Sequence, residues 1–273
     1  MTTRGSHTAL LAKEARELLL GQGYWPLLLG LSLLVGASFR QALRLYGEAS
    51  RAAASAPEMA AGLSPFDGVL VPTFGALYLA TTLLWPFVCI RQLAGDVRSG
   101  ALGLLVQTPL GLRALLGAKL VALAGGFVAA LAIPLSAVAL WRAMGGHADM
   151  AEVSGLVAGH GLYALVVVAL SLAATAWTES APTASLIVLG ATVGSWAVDL
   201  AAAGQEGALA FLGTASLTQV LRPWEHGLFL AANVVRWVTA SAILIAMAAV
   251  GLRPGLARGQ RPARPVVHGG VPH

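Results

Sequence analysis

Between Gly68 and Ile90 the chain runs without a single charged side chain (GVLVPTFGALYLATTLLWPFVCI), and Val121 to Leu140 is again uncharged. Runs of about 18 or more apolar residues are long enough to cross a bilayer as helices, where every backbone N–H and C=O is satisfied within the segment. Further such runs recur along the chain, continuous and rich in Leu, Ala and Val. A β-barrel would instead need many short alternating strands. The pattern predicts an all-α polytopic membrane protein. Composition agrees: 11% of the 273 residues are charged and 57% hydrophobic, whereas in ordinary soluble domains roughly a quarter are charged.

Six spans are predicted, at about 21–39, 68–90, 116–141, 155–177, 182–203 and 228–252, forming one transmembrane domain over 1–252. Before them, Leu10, Leu11, Ala15, Leu18 and Leu19 fall on one side of a helix and Lys13, Arg16 and Glu17 on the other, the pattern of an interfacial helix. A cleaved signal peptide is the alternative; Glu14 and Glu17 and the long run that follows favour an uncleaved anchor. Tyr24 and Trp25 stand where an aromatic interface belt belongs. Pro72 and Pro86 should bend span two, and Pro134 lies inside span three. Residues 203–227 are too short and polar for two more spans and suit short helices at the interface. The tail, 253–273, rich in Arg, Pro and Gly, is expected to be disordered and basic.

Six spans put both termini on one side. Of 17 Lys and Arg residues, that side takes Arg4, Lys13, Arg16, Arg91, Arg98, Arg113, Lys119, Arg253, Arg258, Arg261 and Arg264, and the other takes the remaining six. The excess of basic residues on the terminal side predicts cytoplasmic termini. The net charge of +5 gathers at the ends of apolar runs, as lipid contact and orientation require. No basic patch interleaved with aromatics suggests nucleic acid. Cys89 is the only cysteine, so neither an internal disulfide nor a cysteine metal cluster is available.

The most specific stretch is Arg91 to Leu120 (RQLAGDVRSGALGLLVQTPLGLRALLGAKL), a charged interruption between spans two and three. Arg91, Asp96, Arg98, Arg113 and Lys119 would be costly in hydrocarbon, which places the segment in water or at the headgroups. Leu102, Leu105 and Val106 recur at helical spacing, and Thr108-Pro109 supplies a stop and a restart. From periodicity alone this is an amphipathic loop.

The order of residues adds a likeness. A basic-acidic cluster is followed by Asp96-Val97-Arg98-Ser99-Gly100-Ala101-Leu102. Leu104-Leu105, Thr108-Pro109 and Gly117-Ala118-Lys119-Leu120 come next. The string resembles the loop between spans two and three of ABC-2 type transporter permeases. Asp96 stands where Glu is usual, Ala101 where Thr is usual, and Gly103 where an acidic residue is frequent. Ala12 to Leu18 (AKEAREL) is similar to the elbow helix that opens many of these permeases. The resemblance implies a permease subunit with a coupling helix between spans two and three, two separate ATPase subunits beneath, and a second permease subunit alongside. It implies export driven by ATP bound to the partner, with no cofactor in this chain; high Ala, Gly and Arg usage suits a bacterium, and with it an inner-membrane location. Arg91, Asp96, Arg98, Gly100, Leu105, Thr108, Pro109 and Arg113 are the expected ATPase-coupling residues, and Asp96→Lys is expected to uncouple without unfolding.

The chain carries no nucleotide-binding motif of its own: Gly111-Leu-Arg-Ala-Leu-Leu-Gly117-Ala118-Lys119-Leu120 lacks the Walker spacing and the Ser or Thr after Lys. No catalytic or metal site emerges either. His160 alone of six histidines falls in a span, with the reading of a residue bonded to a neighbour. Ser185, Ser195, Ser216 and Ser241 lack the setting of a hydrolytic nucleophile. Gly155-xxx-Gly159 and Gly190-xxx-Gly194 read as close-packing surfaces. Asp199 and Arg236 are the ionisable residues nearest bilayer depth, read as reaching the interface and pairing there. The rival to a permease is a six-span scaffold or assembly factor, or an intramembrane enzyme, working without an ATPase.

Overall fold

A computed structural model describes residues 3–55, 62–98, 111–204 and 206–259. Among them there are helices and no strands, and six helical segments are long and apolar enough to cross a membrane. The protein is an all-α polytopic membrane protein.

Helix α1 (Thr3–Leu20) precedes the first span, α2 (Tyr24–Ser55). The second span is built in three pieces: a π-helical turn at Phe66–Leu70, α3 (Val71–Leu83) and α4 (Trp85–Arg98). The break falls at Leu84, just before Pro86. Proline has no N–H to give the carbonyl four residues back, so the Thr82 carbonyl is left over. The Thr192 hydroxyl, from the fifth span, donates to it at 3.4 Å. The bend is thereby tied to a neighbouring span.

The third span divides similarly into α5 (Gly111–Ala130) and α6 (Ala132–Ala143), with Pro134 just beyond the division. The fourth, α7 (Met150–Trp177), starts on an Asp149 cap whose carboxylate accepts from the Ala151 N–H at 2.9 Å. The fifth, α8 (Ala181–Ala202), starts on Ser180, which accepts from the Thr183 N–H, with Pro182 in its first turn. Both are local start signals legible in the sequence. Short helices α9 (Ala208–Thr214) and α10 (Arg222–Glu225) flank a 3₁₀ turn at Leu217–Val220, and α11 (Ala231–Gly259) is the sixth span. The last helix runs past Leu252 to Gly259; residues 260–273, most of the expected tail, lie outside the described residues.

Helix α7 is the axis of the bundle. Its apolar window is 72% buried, against 22% for α8 and 17% for α11. It packs against α3, α4, α5, α8, α10 and α11. Small residues permit this. A Cβ on Gly159 would stand 2.5 Å from Cγ of Trp224, so the glycine seats that indole. The Gly155/Gly159 stripe therefore receives a side chain from α10, not a helix backbone. At Gly190 and Gly194 a Cβ would meet nothing within 4 Å. The outer faces of α2, α8 and α11 show large apolar side chains such as Leu29, Leu33, Leu186 and Val235, as lipid contact requires.

Buried hydroxyls inside the spans donate back along their own helices. Thr73 donates to Val69, Thr81 to Leu77, Ser171 to Val167 and Ser241 to Trp237. Such bonds satisfy a polar group where no water is present.

Candidate functional site

The charged side chains at the terminal end of spans two and three do not all lie in water or headgroups. Lys119 is fully buried and Asp96 is 7% exposed. They meet each other and Glu14 of α1, itself fully buried. The Lys119 ammonium lies 2.7 Å from Oε2 of Glu14, 2.5 Å from Oδ2 of Asp96 and 2.8 Å from the Gln92 carbonyl. Three acceptors match the three protons of an ammonium. This corrects the expectation from sequence: the cost of these charges in an apolar setting is offset by partners within the protein.

Around this centre, Gln92 Nε2 donates to the Glu14 carbonyl at 3.0 Å and to Oε2 of Glu14 at 3.1 Å. Lys13 bonds Oε1 of Glu14 at 3.1 Å, Glu17 at 3.0 Å and Oδ1 of Asp96 at 3.3 Å. Partial burial works against the Lys13 ammonium, but the carboxylates of Glu17, Glu14 and Asp96 outweigh it and hold its pKa above the usual lysine value. The cluster ties α1, the last turns of α4 and the early turns of α5 into one unit.

The local sequence explains how Glu14 arrives there. Leu10, Glu14 and Leu18 are spaced four apart and form the buried stripe of α1. Leu18 reaches the third span at Gly126, where a Cβ would lie 2.6 Å from Cδ2 of Leu18. The Tyr24 hydroxyl donates to the Gly126 carbonyl at 2.7 Å, fixing the corner between α1 and α2. Leu19, grouped by sequence with the apolar side of α1, is 44% exposed instead.

Of the expected coupling residues, Arg91 in the middle of α4 and Arg113 in the first turn of α5 are exposed. Asp96 turns inward to the two lysines. Arg98 closes α4, and its side chain is outside the described residues, as are Gly100, Leu105, Thr108 and Pro109 altogether. Sequence reasoning did not find Glu14, Gln92 or the partnership of Lys119. The available signal was Lys119 itself, an ionisable residue at the head of an apolar run that needs a partner.

The three carboxylates of Glu14, Glu17 and Asp96 lie close enough together to suggest a cation site. Lys13 and Lys119 already occupy that position, so the arrangement is one of ion pairs.

Elsewhere, His160 is fully enclosed, with Nδ1 2.8 Å from the Leu156 carbonyl and Nε2 3.0 Å from the Phe74 carbonyl. It bridges α7 to α3, as a residue bonded to its neighbours. Ser185 donates to Ala181, while Ser195 and Ser216 bond each other at 2.9 Å. Asp199 pairs with Arg222 at 2.8 Å and accepts from Gln219 at 3.2 Å. Arg236 donates to the Thr214 carbonyl and lies over the Trp237 ring. The expected Asp199–Arg236 pair is therefore replaced by two separate ties, because residues 214–222 supply nearer partners.

Fold and site together define a six-span membrane protein whose second and third spans are joined to α1 by buried charge. Compared with known protein families, curated proteins and solved structures, the chain matches none.

Proposed function

We propose that this chain is the transmembrane subunit of an ABC transporter of the ABC-2 type, with its termini in the cytoplasm of a bacterium. In this reading two ATPase subunits dock beneath a pair of permease subunits and drive export of a hydrophobic or amphipathic cargo.

The observation that carries the reading is the clamp formed by Asp96, Lys119 and Glu14. A coupling element has to pass a push to the spans without dissipating it in its own bending. The clamp joins the end of α4 to α5 and both to α1, so force applied at this end of the bundle reaches spans two and three together. Arg91, Arg98 and Arg113 are the residues this reading assigns to the ATPase surface. Asp96 acts by holding α4 to α1 and α5.

The test is purification of the tagged chain from its native membranes in mild detergent. A stoichiometric partner carrying a Walker motif supports the reading. Purification without any ATPase, under conditions that keep known ABC assemblies whole, overturns it.

A further inference from the structure

At the end of the bundle opposite α1, a cavity of about 210 Å³ lies between the second span, the fifth span and the segment that follows the fifth. Tyr78 of α3 and Trp196 and Asp199 of α8 line it, together with Leu221, Arg222 and Glu225. It is smaller than the roughly 300–1,000 Å³ of pockets for drug-sized ligands. Its occupant is therefore a small molecule or a small headgroup.

Two oxygen-bearing groups of the lining lack partners. The Tyr78 hydroxyl is shielded from water yet makes no hydrogen bond among the described residues. The Thr82 and Tyr163 hydroxyls bond each other at 2.9 Å instead. Buried polar groups left unpaired are costly and rare. The half-buried Glu225 side chain likewise makes no hydrogen bond or ion pair among the described residues. Arg222, the guanidinium of the lining, turns to Asp199 at 2.8 Å, and Gln219 takes the other Asp199 oxygen at 3.2 Å. Arg222 and the exposed His226 act on Glu225 only through space.

With both carboxylates ionised, the lining holds two negative charges against one positive. Trp196 adds an aromatic face, which attracts cations, and Leu221 an apolar wall. A free carboxylate, an unpaired hydroxyl oxygen and an indole suit a primary ammonium, whose several N–H groups need acceptors.

We propose that this cavity binds a small organic primary ammonium. Its N–H groups donate to the Glu225 carboxylate and the Tyr78 hydroxyl, and its hydrocarbon part lies against Trp196 and Leu221. Arg222 keeps Asp199 occupied, which leaves Glu225 to the ligand. The site does not depend on the transport reading and would stand if that reading failed.

The experiment uses the full chain in nanodiscs of phosphatidylcholine, a lipid without N–H groups. Radiolabelled phenethylamine is bound by equilibrium dialysis against empty nanodiscs. Saturable binding is expected, and 2-phenylethanol, the same skeleton without the charge, should compete about tenfold more weakly. Glu225→Gln should weaken binding about tenfold, and Tyr78→Phe, which removes only the oxygen, about fivefold. Unfolding midpoints establish that each variant is folded, and either one suffices for the test. Exchanging half of the lipid for phosphatidylethanolamine separates two sources of the ammonium. Displacement of phenethylamine then supports a lipid headgroup in the site, and undiminished binding supports a soluble amine. Absence of saturable binding, equal competition by 2-phenylethanol, or undiminished binding in a folded variant would overturn the proposal.

Discussion

Lys119 of the third span and Glu14 of α1, far apart in sequence, are both fully buried and lie 2.7 Å apart. Removing one partner of such a pair leaves a charge with no water to reach. Lys119→Met should therefore destabilise the protein by about 3–5 kcal/mol. The double variant Lys119→Met with Glu14→Gln should recover part of the loss. Thermal unfolding in detergent reads both, and simple additivity of the two changes would argue against direct coupling.

At Asp96 the structure revises an expectation drawn from sequence. The carboxylate sits between Lys13 and Lys119, so Asp96→Lys would gather three ammonium groups around two carboxylates. Loss of folded protein is expected from Asp96→Lys, in place of uncoupling alone. Asp96→Asn, which keeps the size and part of the hydrogen bonding, should fold with a lower unfolding midpoint. Size-exclusion profiles of the two variants distinguish these outcomes.

Gly159 and Gly190 should respond in opposite ways to the same change. Gly159→Ala drives a methyl into the Trp224 ring, and overpacking of this kind costs about 1–3 kcal/mol. Gly190→Ala meets nothing within 4 Å and should be neutral or slightly stabilising, since Ala favours helix over Gly. A marked loss at Gly190 would mean that another chain packs on that face.

Glu225 lies outside the spans, and its pKa is raised above the usual carboxylate value. Burial is the main cause, reinforced by Asp199 and opposed by His226 and Arg222. The folded state thus holds the proton more tightly than the unfolded chain. The associated stability is fully present below the ordinary value of 4.5 and is lost as pH rises through the folded-state pKa. Glu225→Gln should remove this component, so its unfolding midpoint should fall less than the parent's as pH rises from 4 toward neutral, in parallel scans of about one pH step each. Identical pH profiles would contradict the assignment.

The sequence alone determined what repeats locally. Long uncharged runs dictated six spanning helices, because an isolated segment in hydrocarbon has to satisfy its own backbone. Pro86 and Pro134 marked the bends, since the missing proline N–H acts within a few residues. The charged segment between spans two and three also stood out, because charge in an apolar context is visible without a structure.

Tertiary structure alone decided how those charges are satisfied. Periodicity places Glu14 on a helix face but carries no information about which distant residue meets it. The Glu14–Lys119 and Thr192–Thr82 ties, the seating of Trp224 on Gly159, and the cavity that Tyr78 and Glu225 line all join positions far apart in the chain. Helix periodicity repeats every few residues, whereas these partners are chosen by how the packed spans cross, and burial then makes each choice energetically decisive.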